Sequence, residues 1–347
     1  MVLLGLEGLR GNLADLLAVV TFNDRIRKHF AEDGDLSSTA KEVGAANYVA
    51  AKGTIPDQAA WRVYDHCAFI TRLYAVYESY VYELVRLWLD QITRVLPAWV
   101  DLPQSLSDSY RAGVGVLLQK YGGPRTEHLT EMGIIEGLHA GLSGLGHYTL
   151  LPDAFFVDLQ NLRESELAHL CARVGLPDAQ KWLVAHPTLV AHCTSNSFTV
   201  TSGLKDFVEY RNEAAHGATH VDEVLGFTEC RLLHEFIDLL CEALGQFVLW
   251  NLCREALARD VCQQLGTTTE YFKRPDASII TMTEAELTLG DILVIRGPTE
   301  CYQAHILSLQ VNGTNVESVR ASNGQEIGVR LDRTAKVGMD ILRLHLS

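Results

Sequence analysis

None of the eight cysteines forms a C-x-x-C pair, which removes the spacing that zinc ribbons and dithiol redox motifs need. The sequence has no G-x-x-x-x-G-K-[ST] loop and no G-x-G-x-x-G after a strand-like run, so nucleotide-cofactor chemistry has no motif to rest on. Positive charge is scarce: 29 Lys and Arg stand against 43 Asp and Glu, for a formal net charge of −14. That balance argues against a surface that coats phosphates generically, because such binding is carried by Lys and Arg. A few arginines in one cleft can still dominate their own surroundings. The longest uncharged stretch, between Lys181 and Lys205, holds His186, Pro187, His192, Asn196 and several Ser and Thr, so it does not read as a membrane span. No internal repeat or low-complexity segment stands out.

The cysteines sit mostly among apolar neighbours, as in Leu239-Leu-Cys-Glu-Ala-Leu244, and read as buried free thiols of a reducing cytoplasm. The opening MVLLGLEGLRGNLADLL lacks a positive n-region and carries Glu7 and Asp15; it predicts a first helix rather than a signal peptide. The expectation is a soluble, cytoplasmic protein.

At 347 residues, 48% of them apolar, the chain is long enough for two domains. The period of the pattern changes near residue 275. Before it the patterns are helical. From about Ala59 to Leu96, residues Ile70, Leu73, Tyr74, Tyr77, Val81, Leu84 and Trp88 recur at steps of three and four, and Pro97 closes the helix. A second long helix is expected from about Asp222 to Gln264, and shorter ones over roughly 3–31, 105–120, 127–140, 164–174 and 199–216. Residues 32–58 carry no pattern that assigns them a role. After 275 come short runs rich in β-branched residues, separated by Gly290-Asp291, Asn312-Gly313 and Asn323-Gly324. These predict five or six strands of a small barrel similar to an SH3-like fold. The fold class is therefore α+β: a helical domain over 1–274 and a β-barrel domain over 275–347. The barrel segment holds 6 Lys and Arg against 9 Asp and Glu, so charge does not mark it as a nucleic-acid binder.

The chemistry-bearing stretch is VEYRNEAAHGATH, residues 208–220. Five positions of α-helix, from Arg211 to His216, span about 7.5 Å of rise and roughly 140° of rotation. The two side chains do not share a stripe, although a long arginine can bend towards the helix end. Gly217 predicts the stop, which places His216 in the last turn. There the helix dipole favours the imidazolium, while Arg211 pushes the other way. A histidine balanced between these effects, beside an arginine able to fork two hydrogen bonds to a phosphate, suits attack on a phosphodiester. No metal or other cofactor is required if the nucleophile is the substrate's own 2′-hydroxyl, which RNA alone supplies. A helix-capping histidine and a solvated arginine explain the same letters, and the spacing alone does not choose.

The neighbours add to the motif. Tyr210-Arg-Asn-Glu-Ala-Ala-His-Gly217 resembles the signature of the HEPN superfamily of all-α ribonucleases and RNA-binding proteins. In that signature a His follows an Arg-polar pair four to six residues after the Arg. Leu73-Tyr-Ala-Val-Tyr-Glu-Ser-Tyr-Val-Tyr-Glu83 resembles the early helix of the RiboL-PSP and MAE-type HEPN branches. Asn161-Leu-Arg-Glu-Ser-Glu-Leu-Ala-His-Leu-Cys-Ala-Arg-Val-Gly-Leu176 resembles their middle helix and turn. The resemblance covers roughly residues 60–260. It implies an all-α HEPN bundle that dimerises, with two motifs facing one another across a shared cleft. His216 acts in such a site as general base on the 2′-hydroxyl or general acid at the leaving 5′-oxygen. Arg211 holds the phosphate and stabilises its developing charge, and Asn212 orients the histidine or the phosphate. Glu213 either tunes His216 or is a solvated helix residue. The implied activity is metal-independent endoribonuclease cleavage to 2′,3′-cyclic phosphate ends, in a toxin or antiviral defence effector restrained by an antitoxin or defence partner. The alternative is a non-catalytic HEPN module that binds RNA or protein.

Other candidates are weaker. His220 stands four residues after His216, a ligand-pair spacing, but Gly217 breaks the helix between them and no third ligand presents itself. His186-Pro-Thr-Leu-Val-Ala-His-Cys193 reads as a loop with a partly buried histidine. Glu78 reads either as a buried partner for Arg211 or another arginine, or as a solvated residue. Tyr74, Tyr77, Tyr80 and Tyr82 read more readily as core or dimer interface than as base-stacking residues.

Overall fold

The computed structural model describes residues 5–31, 54–124, 126–144, 146–216 and 224–345, without the side chains of residues 30, 31 and 216. Within these, ten α-helices come first: α1 (Leu6–Ala31), α2 (Gln58–Val95), α3 (Gln104–Lys120), α4 (Glu131–Ser143), α5 (Asp153–Phe156), α6 (Glu164–Arg173), α7 (Ala179–Ala185), α8 (Pro187–Ser195), α9 (Val200–His216) and α10 (Phe227–Leu257). Nine strands follow: β1 (Cys262–Phe272), β2 (Ala277–Met282), β3 (Ala285–Thr288), β4 (Ile292–Arg296), β5 (Cys301–Val311), β6 (Thr314–Val316), β7 (Ser318–Ala321), β8 (Glu326–Leu331) and β9 (Asp340–Leu344). The protein is α+β, a helical domain followed by a small closed barrel.

Helix α2 is built as its periodicity predicts. The Asp57 carboxylate caps its start, accepting from the Ala59 and Ala60 amides at 3.0 and 3.1 Å. All seven residues of the expected stripe are buried. Its aromatic side chains also carry polar tips, which tie down the chain on either side of α6. Tyr77 Oη donates to the Leu162 carbonyl at 3.2 Å, and Trp88 Nε1 donates to the Val174 carbonyl at 2.8 Å. Tyr74, Tyr77 and Tyr80 are core residues, and Tyr82 packs on Phe156 at 4.6 Å; none of the four is an open stacking platform. Helix α10 is apolar on nearly every side because it is surrounded, with α1, α2, α7, α8, β1 and β5 against it. It is long and apolar enough to cross a membrane, but 78% of its apolar window is buried inside the fold.

Three short helices, α5, α7 and α8, occupy ground where no helix is expected from the sequence. The residues after His186 are helical rather than loop, and His186 itself is the buried junction between α7 and α8, where its Nδ1 accepts from the Leu189 amide at 3.4 Å. Burial lowers its pKa. All eight cysteines are free, and all but Cys67 are buried.

Helix α10 stops at Leu257, short of the expected Gln264, and Cys262–Phe272 is the first strand of the barrel. Leu257, Val261 and Leu265 continue the helical spacing on paper. The Thr267-Thr-Thr269 run and ladder bonds to β2 on one side and β9 on the other make the segment a strand. The change of period near 275 therefore marks β2, and the sheet has already begun. The barrel runs β4-β9-β1-β2-β8-β5 and closes through β4 against β5, all antiparallel. Asn312 and Gly313, both at positive φ (49° and 77°), make the two-residue hairpin between β5 and β6. Asn323-Gly324 does not make a hairpin, because β7 pairs with β3 rather than with β8.

The two domains share a core. Cys262, Val294, Cys301 and Leu342 of the barrel pack in the same apolar cluster as the helices. The Cys301 amide donates to Gln246 Oε1 at 3.0 Å, and Trp250 Nε1 donates to the Gly297 carbonyl at 3.1 Å. Glu242 joins three elements: it accepts from Arg10 of α1 and from Arg333 of the β8–β9 loop, each at 2.7 Å. Burial alone would push the Glu242 carboxyl up, but the Arg333 and Arg10 guanidiniums outweigh it and hold it below the ordinary glutamate value. A depressed carboxylate stabilises the fold above its unfolded pKa, and the contribution is lost as pH falls through the folded one. Glu242→Gln is therefore expected to lower stability by about 1 kcal/mol at neutral pH. The difference from wild type should shrink as pH falls below the ordinary glutamate value and vanish once the folded carboxyl is protonated. Urea unfolding at a series of pH values measures it, and a gap of constant size would show that the ion pairs contribute nothing.

Candidate functional site

Helix α9 is seated by an apolar stripe, Val200, Leu204, Phe207 and Val208, all buried. Phe207 lies between two rings of α2, 5.8 Å from Tyr74 and 6.0 Å from Tyr77. One turn further on, Tyr210 meets His66 edge-on at 6.2 Å, and Arg211 lies over Tyr74. Thus α9 runs antiparallel to α2, and its C-terminal end travels towards the start of α2 and of α10. The Leu225 amide, just before α10, donates to His66 Nδ1 at 3.2 Å.

Arg211 is held from two directions. Its guanidinium carbon stands 4.9 Å from the Tyr74 ring centroid, a cation–π contact with a ring that is itself buried. Its Nη1 donates to Asn212 Oδ1 at 3.2 Å. The same oxygen accepts from Asn161 Nδ2 at 2.6 Å, so a residue of the segment between α5 and α6 reaches into the motif. Tyr74 Oη accepts from the Leu162 amide at 2.7 Å and donates weakly to Glu78 Oε1 at 3.4 Å. Burial raises the Tyr74 hydroxyl pKa well above the ordinary tyrosine value. The Glu78 carboxyl is also raised, by burial, against the opposing pull of the Tyr74 hydrogen bond and the Arg211 charge. Glu78 is thus half-buried beside Arg211, a neighbour in its field without a direct ion pair. Glu213 is not simply solvated: its Oε2 is buried, with no hydrogen-bond partner among the described residues.

His216 is the last residue of α9. Its side chain, with Gly217 and His220, lies outside the described residues, so the pairing of His216 with His220 falls there too. Among the described residues no group of three or more His, Cys, Asp or Glu is arranged to hold a metal ion. The structure brings Arg211, Asn212 and Glu213 to one end of the helical bundle and adds Tyr74, Glu78 and Asn161. Sequence reasoning gives Asn161 no role, since the contact joins positions 51 apart and no periodicity reports it.

The family model for RiboL-PSP-HEPN matches residues 38–249, more than half of the chain. The protein belongs to the RiboL-PSP-HEPN family. The match takes in α2 to most of α10, and with them Asn161, Arg211 and His216. Membership in the HEPN class points to a nuclease or an RNA-binding module. No curated protein matches the chain. The barrel is similar to the C-terminal domain of a Geobacillus thermoleovorans protein assigned to the U32 peptidases. Its selenomethionine variant matches at 16% identity and a TM-score of 0.21, covering 23% of this chain and 98% of that one. A second crystal structure of that domain matches at 15% identity and a TM-score of 0.21, covering 24% and 91%. Outside the family match, the HEPN bundle is thus fused to a barrel that the signature in α9 does not explain.

Proposed function

We propose that this HEPN protein is a metal-independent endoribonuclease acting as a homodimer. The reading is carried by one observation: Arg211, the phosphate-binding position of the motif, is held on Tyr74 and Asn212, on the helix that ends at His216. An arginine fixed before substrate arrives loses little freedom on binding a phosphate. His216 removes the proton of the 2′-hydroxyl, and that oxygen attacks the adjacent phosphorus. The bond to the 5′-oxygen breaks, the leaving oxygen takes a proton, and the products are a 2′,3′-cyclic phosphate and a 5′-hydroxyl. Arg211 stabilises the charge that gathers on the phosphate oxygens in the transition state. Since positions 211 and 216 are roughly 140° apart around one helix, a second copy supplies the complementary residue, and two motifs form one cleft. Such an enzyme suits a cytoplasmic toxin or antiviral effector held in check by a partner protein.

The test is incubation of purified protein with mixed cellular RNA in EDTA, followed by identification of the new ends. Cleavage that survives the chelator and leaves cyclic phosphates is the expected result. A folded, dimeric protein that binds RNA and cuts none would instead be a binding module. Cleavage abolished by EDTA would remove the metal-independent mechanism.

A further inference from the structure

The Asn212 amide has a defined orientation, and the reason lies in its neighbours. Arg211 has only donors to offer. The Asn212 atom 3.2 Å from Arg211 Nη1 must then be the carbonyl oxygen. That assignment obliges Asn161, 2.6 Å from the same atom, to present its NH2. Asn212 Oδ1 thus accepts from both sides, while its own NH2 takes part in neither bond. Asn161 is in turn fixed by its neighbour in the chain. Leu162 is wholly buried; its amide donates to Tyr74 Oη and its carbonyl accepts from Tyr77 Oη. Tyr74 therefore anchors the segment that carries Asn161 and is also the ring on which Arg211 rests.

We propose that Asn161 is a positioning residue of this site. By donating to Asn212 Oδ1 it locks the amide so that its oxygen holds Arg211 in place for a phosphate oxygen of the RNA. This rests on the nuclease reading, and it adds a residue outside the α9 motif.

The test is a double-mutant cycle of Asn161→Ala and Arg211→Ala, read in two ways: cleavage rate, and affinity for a 2′-O-methyl RNA that cannot be cleaved. Asn161→Ala is expected to lower both by about tenfold, with little further effect in the Arg211→Ala background, because it acts through that arginine. Asn161→Asp keeps the shape but sets an acceptor against Asn212 Oδ1, so it should be at least as harmful; a packing role predicts no effect. The added charge of Asp is separated out in the Arg211→Ala background, where repulsion of RNA persists and a positioning effect does not. Effects that are absent, or that add to those of Arg211→Ala, overturn the proposal. Wild type that binds and never cuts, with the cycle intact in affinity, removes the nuclease reading and keeps Asn161 as the organiser of a phosphate site. Wild type that neither binds nor cuts removes both.

Discussion

Replacing His216 with alanine is expected to slow RNA cleavage by about 10²–10⁴-fold, the range for loss of a general acid–base group. Arg211→Ala should cost about 10²–10³-fold, as for a donor that stabilises an oxyanion. The two losses should not add, because residues that work as one unit fail together. Arg211→Lys is not a rescue. Lysine keeps the charge but lacks the planar fork, and it lies less well on the Tyr74 ring. Single-turnover rates on a defined RNA measure these effects, with urea unfolding of each variant as the control for folding. Cleavage that continues unchanged in His216→Ala would make the Arg-to-His spacing no more than the end of a helix.

Phe207→Ala should be the most destabilising change near the site, at about 3–5 kcal/mol. Phe207 has no exposed surface and fills the space between the Tyr74 and Tyr77 rings, so truncation removes aromatic contacts and leaves a cavity. The effect extends to function, since Arg211 sits one helical turn further along and rests on the same Tyr74. Cleavage by the folded fraction should fall as well, by an amount that Phe207→Leu largely restores. The urea midpoint and slope give the stability change. A loss below about 1 kcal/mol would mean that α9 is not seated on α2 through this ring.

Long, strongly periodic elements were legible in the sequence. The α2 stripe from Ile70 to Trp88 is buried throughout, and α9 runs over Val200–His216 where a helix was expected. The barrel was legible from β-branched runs and from Asn312-Gly313, whose positive φ values suit the two-residue turn. Helices α5, α7 and α8, of 4, 7 and 9 residues, are too short to show a period, and their stability comes from packing. Strand β1 was hidden because Leu257, Val261 and Leu265 fit a helix as well as a strand end, and only pairing with β2 and β9 decides. At the site, Arg211 and Asn212 could be named as candidates from the sequence motif. The Asn161 contact is long-range, and a side chain's tertiary partner leaves no trace in local spacing.

Helix α10 has a mechanical meaning. It starts beside Leu225 and His66, at the end of the bundle where α9 stops, and its Trp250 is fastened to Gly297 of the barrel. Between Phe227 and Trp250 lies roughly 35 Å of uninterrupted helix. The barrel is bolted to this rod by a shared core and by the Arg10–Glu242–Arg333 bridge, rather than leashed by a floppy linker that lets two modules search independently. The interval between barrel and motif is therefore set by the length of a helix and the packing along it, as in a caliper with fixed jaws.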